Sequence, residues 1–480
     1  MTGSTNAPGD AAQQGSLVRL AIGFTAWAER WFPDAFIFVA IAVVIVAAGA
    51  MINGATPESV SIAFGAGFWS LITFTMQMAF VAIGGYVVAS STPAARLIRA
   101  LAAWPKSGVS AVGMVAAVST TASLLNWGFS LIFSGLLVLA LARRRDLRMD
   151  YRAAGAAAYL GLGSVWALGL SSSSALLQAN AASLPKSLLP VTGVIPFTET
   201  IFLWQSMIIA VISIVVSTLI ATWSAPGADR ALTAEAMGVD VAGDKVEDQS
   251  PTQPGEWLEH SPIVTVLLVL VAAGWVIHEF TRQSAMLAIS NLNTYNFIFI
   301  MAGLLLHWRP RRFLNAVAKA VPATTGVLIQ FPFYGAITAI LTQPKNGAGH
   351  TLSDQIAHAF VSLTTQHVYP LAIGVYSAIL GFFVPSGGGK WLLEAPYLMK
   401  AANDLQVNLG WAVQVYNAAE ALPNLINPFW MLPLLGVLGL RARNIVGFTF
   451  LQLLVMLPLV LFLLWALAYT LPYHPPVMPN

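Results

Sequence analysis

Polar interruptions recur in the same order in two halves of a chain that is otherwise almost continuously apolar, and this doubling restricts the fold more than any single motif. Phe36-Ile37-Phe38 returns as Phe297-Ile298-Phe299, each opening an apolar run just after a polar residue, Asp34 or Asn296. Gln77 to Phe80 is answered by Gln330 to Phe333, Asn126-Trp127-Gly128 by Ser386-Gly387-Gly388-Gly389, and Ser171 to Ser174 by Asn424 to Asn427. Two such units, each interrupted twice at mid-helix depth, have the organisation of a secondary transporter built from internal repeats.

The apolar runs extend over about twenty residues without period-two alternation, so they read as membrane helices rather than barrel strands. Hydrophobic residues make up 57% of the chain and charged residues only 9%, with a mean hydropathy of +0.73, which leaves few long segments with a wet face. The net charge of +3 comes from loop arginines, and nothing points to nucleic acid. The absence of cysteine excludes disulfides, thiolate metal sites and cysteine nucleophiles. No cluster of histidines and carboxylates has metal-ligand spacing, no nucleotide-binding loop is present, and no cofactor is expected.

Spans are predicted at about 34–52, 64–90, 153–180, 198–223, 261–280, 293–307, 313–342, 411–437 and 445–470. The chain divides into a disordered tail (1–16), a first membrane repeat (17–223), a cytoplasmic connecting loop (224–260) rich in Pro, Gly, Asp and Glu, a second repeat (261–472) and a C-terminal tail (473–480).

Residues 108–141 and 371–399 decide the architecture. Arg96, Arg99 and Lys106 precede the first of these, and Arg143, Arg144, Arg145, Arg148 and Arg152 follow it. The positive-inside rule then puts both of its ends in the cytoplasm. Its length, about 34 residues, is short for two full crossings and a turn, and Asn126-Trp127-Gly128 interrupts its middle. A re-entrant hairpin is expected, with a tip shielded by protein or lining a cavity, because unpaired backbone groups cannot face lipid. Continuing the count places Arg309, Arg311, Arg312, Lys319, Arg441 and Arg443 inside, and Lys186, Arg282, Lys345 and Lys400 outside. The second hairpin, around Ser386 to Lys390, then enters from the outer face. Residues 92–106 and 353–370 occupy matching places and are expected to lie as amphipathic helices at opposite interfaces. The predicted fold class is an all-α polytopic membrane protein of two inverted-topology repeats, each with a re-entrant helical hairpin and a broken transmembrane helix.

A helix broken at mid-membrane offers free N–H groups to an anion and free carbonyls to a cation. Ser386, Gly387, Gly388 and Gly389 suit anion capture, since glycines admit a close ligand and a helix begins directly after them. Asn126, Trp127 and Gly128 form the matching tip, with an amide able to donate to a carboxylate oxygen. Ser172, Ser173 and Ser174 on one broken span, and Asn424 and Asn427 on the other, add hydroxyls, amides and freed carbonyls. The four clusters are expected to converge on the substrate. Each also has a plainer use: glycine breaks serve close helix packing, serines bond back to their own helix, and Trp127 and Trp391 fill space.

Charges inside spans are costly unless paired or wetted. Glu420, on the helix that leads into Asn424 and Asn427, is the candidate carrier of a coupling ion. Lys390 and Glu394 stand four apart on one helical face, so Lys390 either presents a cation to a carboxylate or forms an internal pair with Glu394 or Glu420. Gln77, Gln330 and Phe331 are candidates for cavity lining, although both glutamines suit interhelical hydrogen bonds equally. His278, His307 and His358 fall at span ends and are expected to anchor.

Trp31-Phe32-Pro33-Asp34, Leu125-Asn126-Trp127-Gly128-Phe129, Gln330-Phe331-Pro332-Phe333-Tyr334, Val384-Pro385-Ser386-Gly387-Gly388-Gly389-Lys390-Trp391 and Asn427-Pro428-Phe429-Trp430 resemble the signature segments of the bacterial short-chain fatty acid transporter family. That group includes the acetoacetate/butyrate carrier and belongs to an ion-transporter superfamily with elevator-type dicarboxylate carriers. The likeness runs from about residue 20 to 470. It implies ion-gradient-driven uptake of small monocarboxylates such as butyrate or acetoacetate, coupled to a proton or sodium, by a homodimer in lipid of the inner membrane. Lys390 departs from the family motif, where a histidine often stands between the last glycine and the tryptophan.

The residues themselves favour a small acid. A single lysine with helix ends and hydroxyls suits one carboxylate, and Trp127, Phe129, Phe331 and Phe333 offer walls for a short alkyl tail. The rivals are a carrier of another organic anion such as a dicarboxylate, a channel, and a membrane enzyme handling acyl groups with Ser386 as nucleophile. The last would need a base within hydrogen-bond reach of the serine, and no histidine lies near either break.

Overall fold

Inside a bilayer every backbone N–H and C=O must be paired within its own segment, so apolar runs of this length become helices. The computed structural model describes residue 30 and residues 35–181, 183–241, 253–282, 285–383, 387–427 and 429–478. The N-terminal tail, the Trp31 to Asp34 motif, Val384 to Ser386 and Pro428 lie outside these. Among the described residues all regular elements are helical, apart from two isolated bridges, Gly193 with Val477 and Lys345 with Thr351. Among the described residues six helices are long and apolar enough to cross a membrane: Ile72–Ala89, Tyr151–Gln178, Trp204–Ser224, Pro262–Arg282, Thr325–Thr342 and Ala442–Ala468. Pro262–Arg282 turns most of its apolar surface outward, as expected of a helix solvated by lipid. The chain is a multi-pass, all-α membrane protein.

The order of elements runs in parallel along the two halves. Ile72–Ala89 leads to the amphipathic Thr92–Ala102, a hairpin of Gly108–Ser123 and Trp127–Ala142, an interrupted helix over Tyr151–Gln178, and Trp204–Ser224. Thr325–Thr342 leads to the amphipathic Leu352–Leu363, a hairpin of Tyr369–Phe383 and Gly387–Asp404, an interrupted helix beginning at Leu409–Ala421, and Ala442–Ala468. The arms of the first hairpin have 16 residues each, about 24 Å of helix, less than the roughly 30 Å hydrocarbon thickness.

Two stretches expected as single spans are divided. Residues 64–90 split at Leu71 into Pro57–Ser70 and Ile72–Ala89, and residues 313–342 split into Pro310–Ala320 and Thr325–Thr342. Pro322 explains the second division, because it removes a donor at the junction. The first is imposed by packing: a Cβ on Gly67 would fall 2.7 Å from the Gly335 carbonyl oxygen, and one on Gly335 would fall 2.5 Å from that of Gly67. Two backbones meet there, and the helix bends away immediately afterwards.

The halves interlock. Ala35–Ile52 and Pro57–Ser70 pack on Thr325–Thr342 of the other half, while Leu292–His307 packs on Ile72–Ala89. Gln77 bolts the second contact. Its Nε2 donates to Asn293 Oδ1 (2.8 Å), its carbonyl accepts from Asn296 (2.8 Å), and its Oε1 accepts from Ser183 (3.1 Å). His307 Nε2 meets the Val87 carbonyl at 2.8 Å. The glutamine is thus held as an interhelical brace.

The connection after Ser224 returns to the base of the first hairpin. Asp150 caps the interrupted helix through the amides of Arg152 and Ala153 and also accepts from Leu232 N (3.0 Å). Tyr151 N donates to the Leu232 carbonyl, and Arg143 Nε to that of Val241.

At the far end of the second hairpin, Lys400 pairs with Asp354 at 2.5 Å, and Asp354 closes a capping box with Thr351. Partial burial pushes the Asp354 carboxyl up, but hydrogen bonds from Lys400 and Thr351 and the lysine charge outweigh it and hold the group below its usual 3.8. A depressed folded pKa means stability that is fully present above the unfolded value and is lost as pH falls through the folded one. Asp354→Asn is therefore expected to melt below the wild type at neutral pH and to converge with it below about pH 3.8, as read by thermal melting in detergent.

Candidate functional site

The first interruption begins where Tyr151–Leu160 passes into a π turn at Gly161–Val165 and a 3-10 turn at Trp166–Leu168, before helix resumes at Ser173–Gln178. Glycines permit this because the hairpin backbone presses against it: the space for a Cβ on Gly169 is filled by Leu124 backbone, and that on Gly161 by Ser119 and Ser130. Leu170 N donates to the Leu124 carbonyl (2.7 Å), Trp127 N to Ser171 Oγ (3.0 Å) and Gly161 N to Ser119 Oγ (2.9 Å). The first tip and the first break are thus one hydrogen-bonded unit.

Asn126 is fully buried at that tip. Its Oδ1 caps the second arm by accepting from Phe129 N (2.8 Å), and its amide donates to the Val81 carbonyl (3.1 Å) and to Tyr295 Oη (3.0 Å). The amide that sequence reasoning reserves for a carboxylate is therefore engaged. Gly128 lies against the Ala82 backbone, and Trp127 packs edge-on against Trp430 with centroids 5.5 Å apart.

In the second interruption, Leu409–Ala421 tightens into a 3-10 turn at Leu422–Leu425. Asn427 donates to the Phe382 carbonyl of the hairpin (3.0 Å), and the Asn424 carbonyl accepts from Tyr159 (2.9 Å) on the opposite break. The helix Gly387–Asp404 starts between the two breaks. A Cβ on Gly387 would lie 2.5 Å from the Trp166 ring and 3.3 Å from Glu420 Oε2, and one on Gly388 would lie 2.9 Å from Ser173 Cβ. Tyr416 donates to the Gly387 carbonyl at 2.5 Å. Phe74 lies against Gly388 and stacks on Phe331 at 5.7 Å, while Gln330 is buried on the same helix as Phe331.

The four clusters therefore converge, with Ser386 outside the described residues. The polar atoms buried on these elements without a hydrogen-bond partner among the described residues include Trp166 Nε1, Ser172 Oγ, Glu420 Oε1 and Asn424 Oδ1. Each such group costs about 1–3 kcal/mol when left unsatisfied. Ser174 is committed elsewhere, donating to Asn417 in a chain that continues through Gln414 to Ser206.

Lys390 and Glu394 are wholly buried and paired at 2.7 Å. The ammonium also donates to the Ser377 carbonyl (3.1 Å) and sits 4.3 Å from the centre of the Tyr416 ring, while Ser377 Oγ donates to the other Glu394 oxygen at 2.5 Å. Of the two partners open to Lys390 from sequence, Glu394 is the one it takes. Trp391 is buried against Tyr416. Sequence reasoning missed Trp166, Phe74, Tyr416 and Ser377; only Trp166, just after Gly161 and Gly163, carried a local signal.

The description "Short chain fatty acid transporter" belongs to the family model that matches residues 16–467. A protein of Escherichia coli (strain K12), provisionally named as a short-chain fatty acid transporter, is 31% identical over 438 residues, covering 91% of this chain and 96% of that protein. A Haemophilus influenzae protein of the same provisional name is 28% identical over 448 residues, covering 92% and 98%. The fold is similar to that of the YdaH transporter of Alcanivorax borkumensis, whose crystal structure is described as having an unusual topology: the TM-score is 0.55 at 14% identity, covering 95% of this chain and all of that one. By sequence along almost its whole length, this chain belongs to the short-chain fatty acid transporter family.

Proposed function

We propose that the protein imports short-chain monocarboxylates across the bacterial inner membrane, driven by a proton or sodium gradient, as a homodimer working by elevator-like alternating access. In this reading the repeats are inverted, the two hairpins re-enter from opposite faces, and their tips bracket the carboxylate. The observation that carries it is a set of buried groups without a partner among the described residues: Trp166 Nε1 and Glu420 Oε1, whose side chains border Gly387, with Ser172 Oγ and Asn424 Oδ1 on the two breaks. Helix amides, an indole N–H and a hydroxyl are donors suited to a carboxylate. Lys390 is the one fully buried lysine or arginine among the described residues, and it already pairs with Glu394. A second carboxylate would find no cation, which favours monoacids over diacids.

Phe74 and Phe331 offer apolar surface beside the glycines. At about 0.8 kcal/mol per methylene, affinity is expected to rise roughly fourfold per carbon from acetate to butyrate. Counterflow of labelled butyrate in proteoliposomes, competed by acetate, propionate, butyrate, acetoacetate and succinate, tests both points. Saturable counterflow with that ranking supports a monocarboxylate carrier. Stronger competition by succinate would reassign the substrate, and no counterflow at all would overturn the carrier reading.

A further inference from the structure

The Lys390 ammonium rests in a coordination shell of the kind that holds a free alkali cation: a carboxylate oxygen at 2.7 Å, a main-chain carbonyl at 3.1 Å and an aromatic face at 4.3 Å. Carbonyl oxygens, carboxylates and ring faces all attract a desolvated monovalent cation. We propose that Lys390 is a cation built into the second hairpin, filling a site that a mobile metal ion would otherwise need to occupy, so that the carboxylate travels with a proton on Glu420 and without sodium. This rests on the carboxylate-carrier reading above and selects between the two coupling ions it leaves open.

The ammonium is wholly buried, and its contacts, Glu394, the Ser377 carbonyl and the Tyr416 face, leave it no direction in which to serve a ligand without breaking the pair. The anchor of this shell comes from both arms of the hairpin: Ser377 from the first, Lys390 and Glu394 from the second. A cation there holds the arms together, a task that a bound metal ion would perform only while present. The pair is neutral in sum and moves wherever the hairpin moves, so it adds no net charge to the transported load.

Glu420 is then the remaining ionisable acid at the site. The groups facing it and the pair are Tyr369, Tyr376 and Tyr397 from the hairpin arms, Tyr416 from its own helix and Tyr334 from Thr325–Thr342. All are phenols, and none supplies a positive charge. A carboxylate held at the Gly387 amides would sit beside Glu420 Oε2, which lies 3.3 Å from the Gly387 Cβ position. Two anions that close in a low-dielectric site repel strongly, so one proton must accompany the substrate. The balance is one carboxylate and one proton, electroneutral, with Lys390 and Glu394 unchanged.

The test uses the full chain in proteoliposomes, with butyrate counterflow as the common readout. Wild-type counterflow is expected to be unchanged when choline replaces sodium. Lys390→Ala, which vacates the shell, is expected to lose about tenfold or more of the rate in choline, because it strands Glu394, and to regain most of it with sodium or ethylammonium. Lys390→Met fills the same space without charge and is expected to lose the rate and not to regain it. Sodium is also expected to raise the melting temperature of Lys390→Ala and leave that of the wild type unmoved, a readout independent of transport. Sodium-dependent wild-type counterflow, or a Lys390→Ala protein indifferent to both cations, would overturn the built-in cation alone. Absence of wild-type butyrate counterflow would instead overturn the carrier reading. If neither variant folds, the wild-type comparison of sodium with choline decides.

Discussion

Glu420→Gln is expected to abolish accumulation of butyrate against its gradient while sparing exchange of butyrate for butyrate. A pH difference of one unit stores about 1.4 kcal/mol and supports a roughly tenfold concentration ratio; the variant should fall to a ratio of one. The reason is local. Glu420 is buried, one of its carboxyl oxygens has no partner among the described residues, and it borders the place where Gly387 opens the helix. Glutamine keeps the size and the hydrogen-bonding of a protonated acid, so a substrate can still bind and cross, but no proton can be left behind on either side. Counterflow and pH-driven uptake, measured on the same proteoliposomes, separate the two properties. Undiminished pH-driven accumulation in Glu420→Gln would remove this residue as the carrier of the coupling proton.

The second large effect is expected from adding a single methyl group at Gly387. Helix propensity alone favours alanine over glycine by about 1 kcal/mol, so on local grounds Gly387→Ala should stabilise the hairpin. Against this, the new Cβ would stand 2.5 Å from the Trp166 ring, and overpacking of that kind costs about 1–3 kcal/mol. The indole cannot yield easily, because it belongs to a break whose backbone is itself wedged against Leu124. Near-neutral melting combined with a loss of butyrate affinity of about a hundredfold is therefore expected, since helix amides displaced by about 1 Å no longer meet a carboxylate. Unchanged affinity in Gly387→Ala would mean that the substrate does not approach this helix end.

Much of the fold could be read from the chain because lipid leaves the backbone few choices. Apolar runs had to be helices, and the segments 108–141 and 371–399 each hold two helices on either side of the break that the sequence marks. The spacing of four made Glu394 one of the partners open to Lys390, and it is the one the structure shows. What stayed hidden depended on contacts between distant segments. Nothing around Ser70-Leu71-Ile72 signals a helix end; the division there follows from Gly67 meeting Gly335, far along the chain. Asn126 resembled a ligand group, yet its hydrogen bonds go to Val81, Tyr295 and Phe129. Ser377, on a largely apolar arm, gave no hint that its carbonyl and hydroxyl would complete the surroundings of a buried ion pair.

The exchange of partners between halves bears on how the protein is made. Ala35–Ile52 emerges early from the ribosome, but the helix it packs against, Thr325–Thr342, is among the later ones to be synthesised. Until then the early helix has, besides its limited contact with Pro57–Ser70, lipid and the insertion machinery to cover it. Neither half is expected to mature alone, whereas two fragments divided within the connection and produced together should assemble.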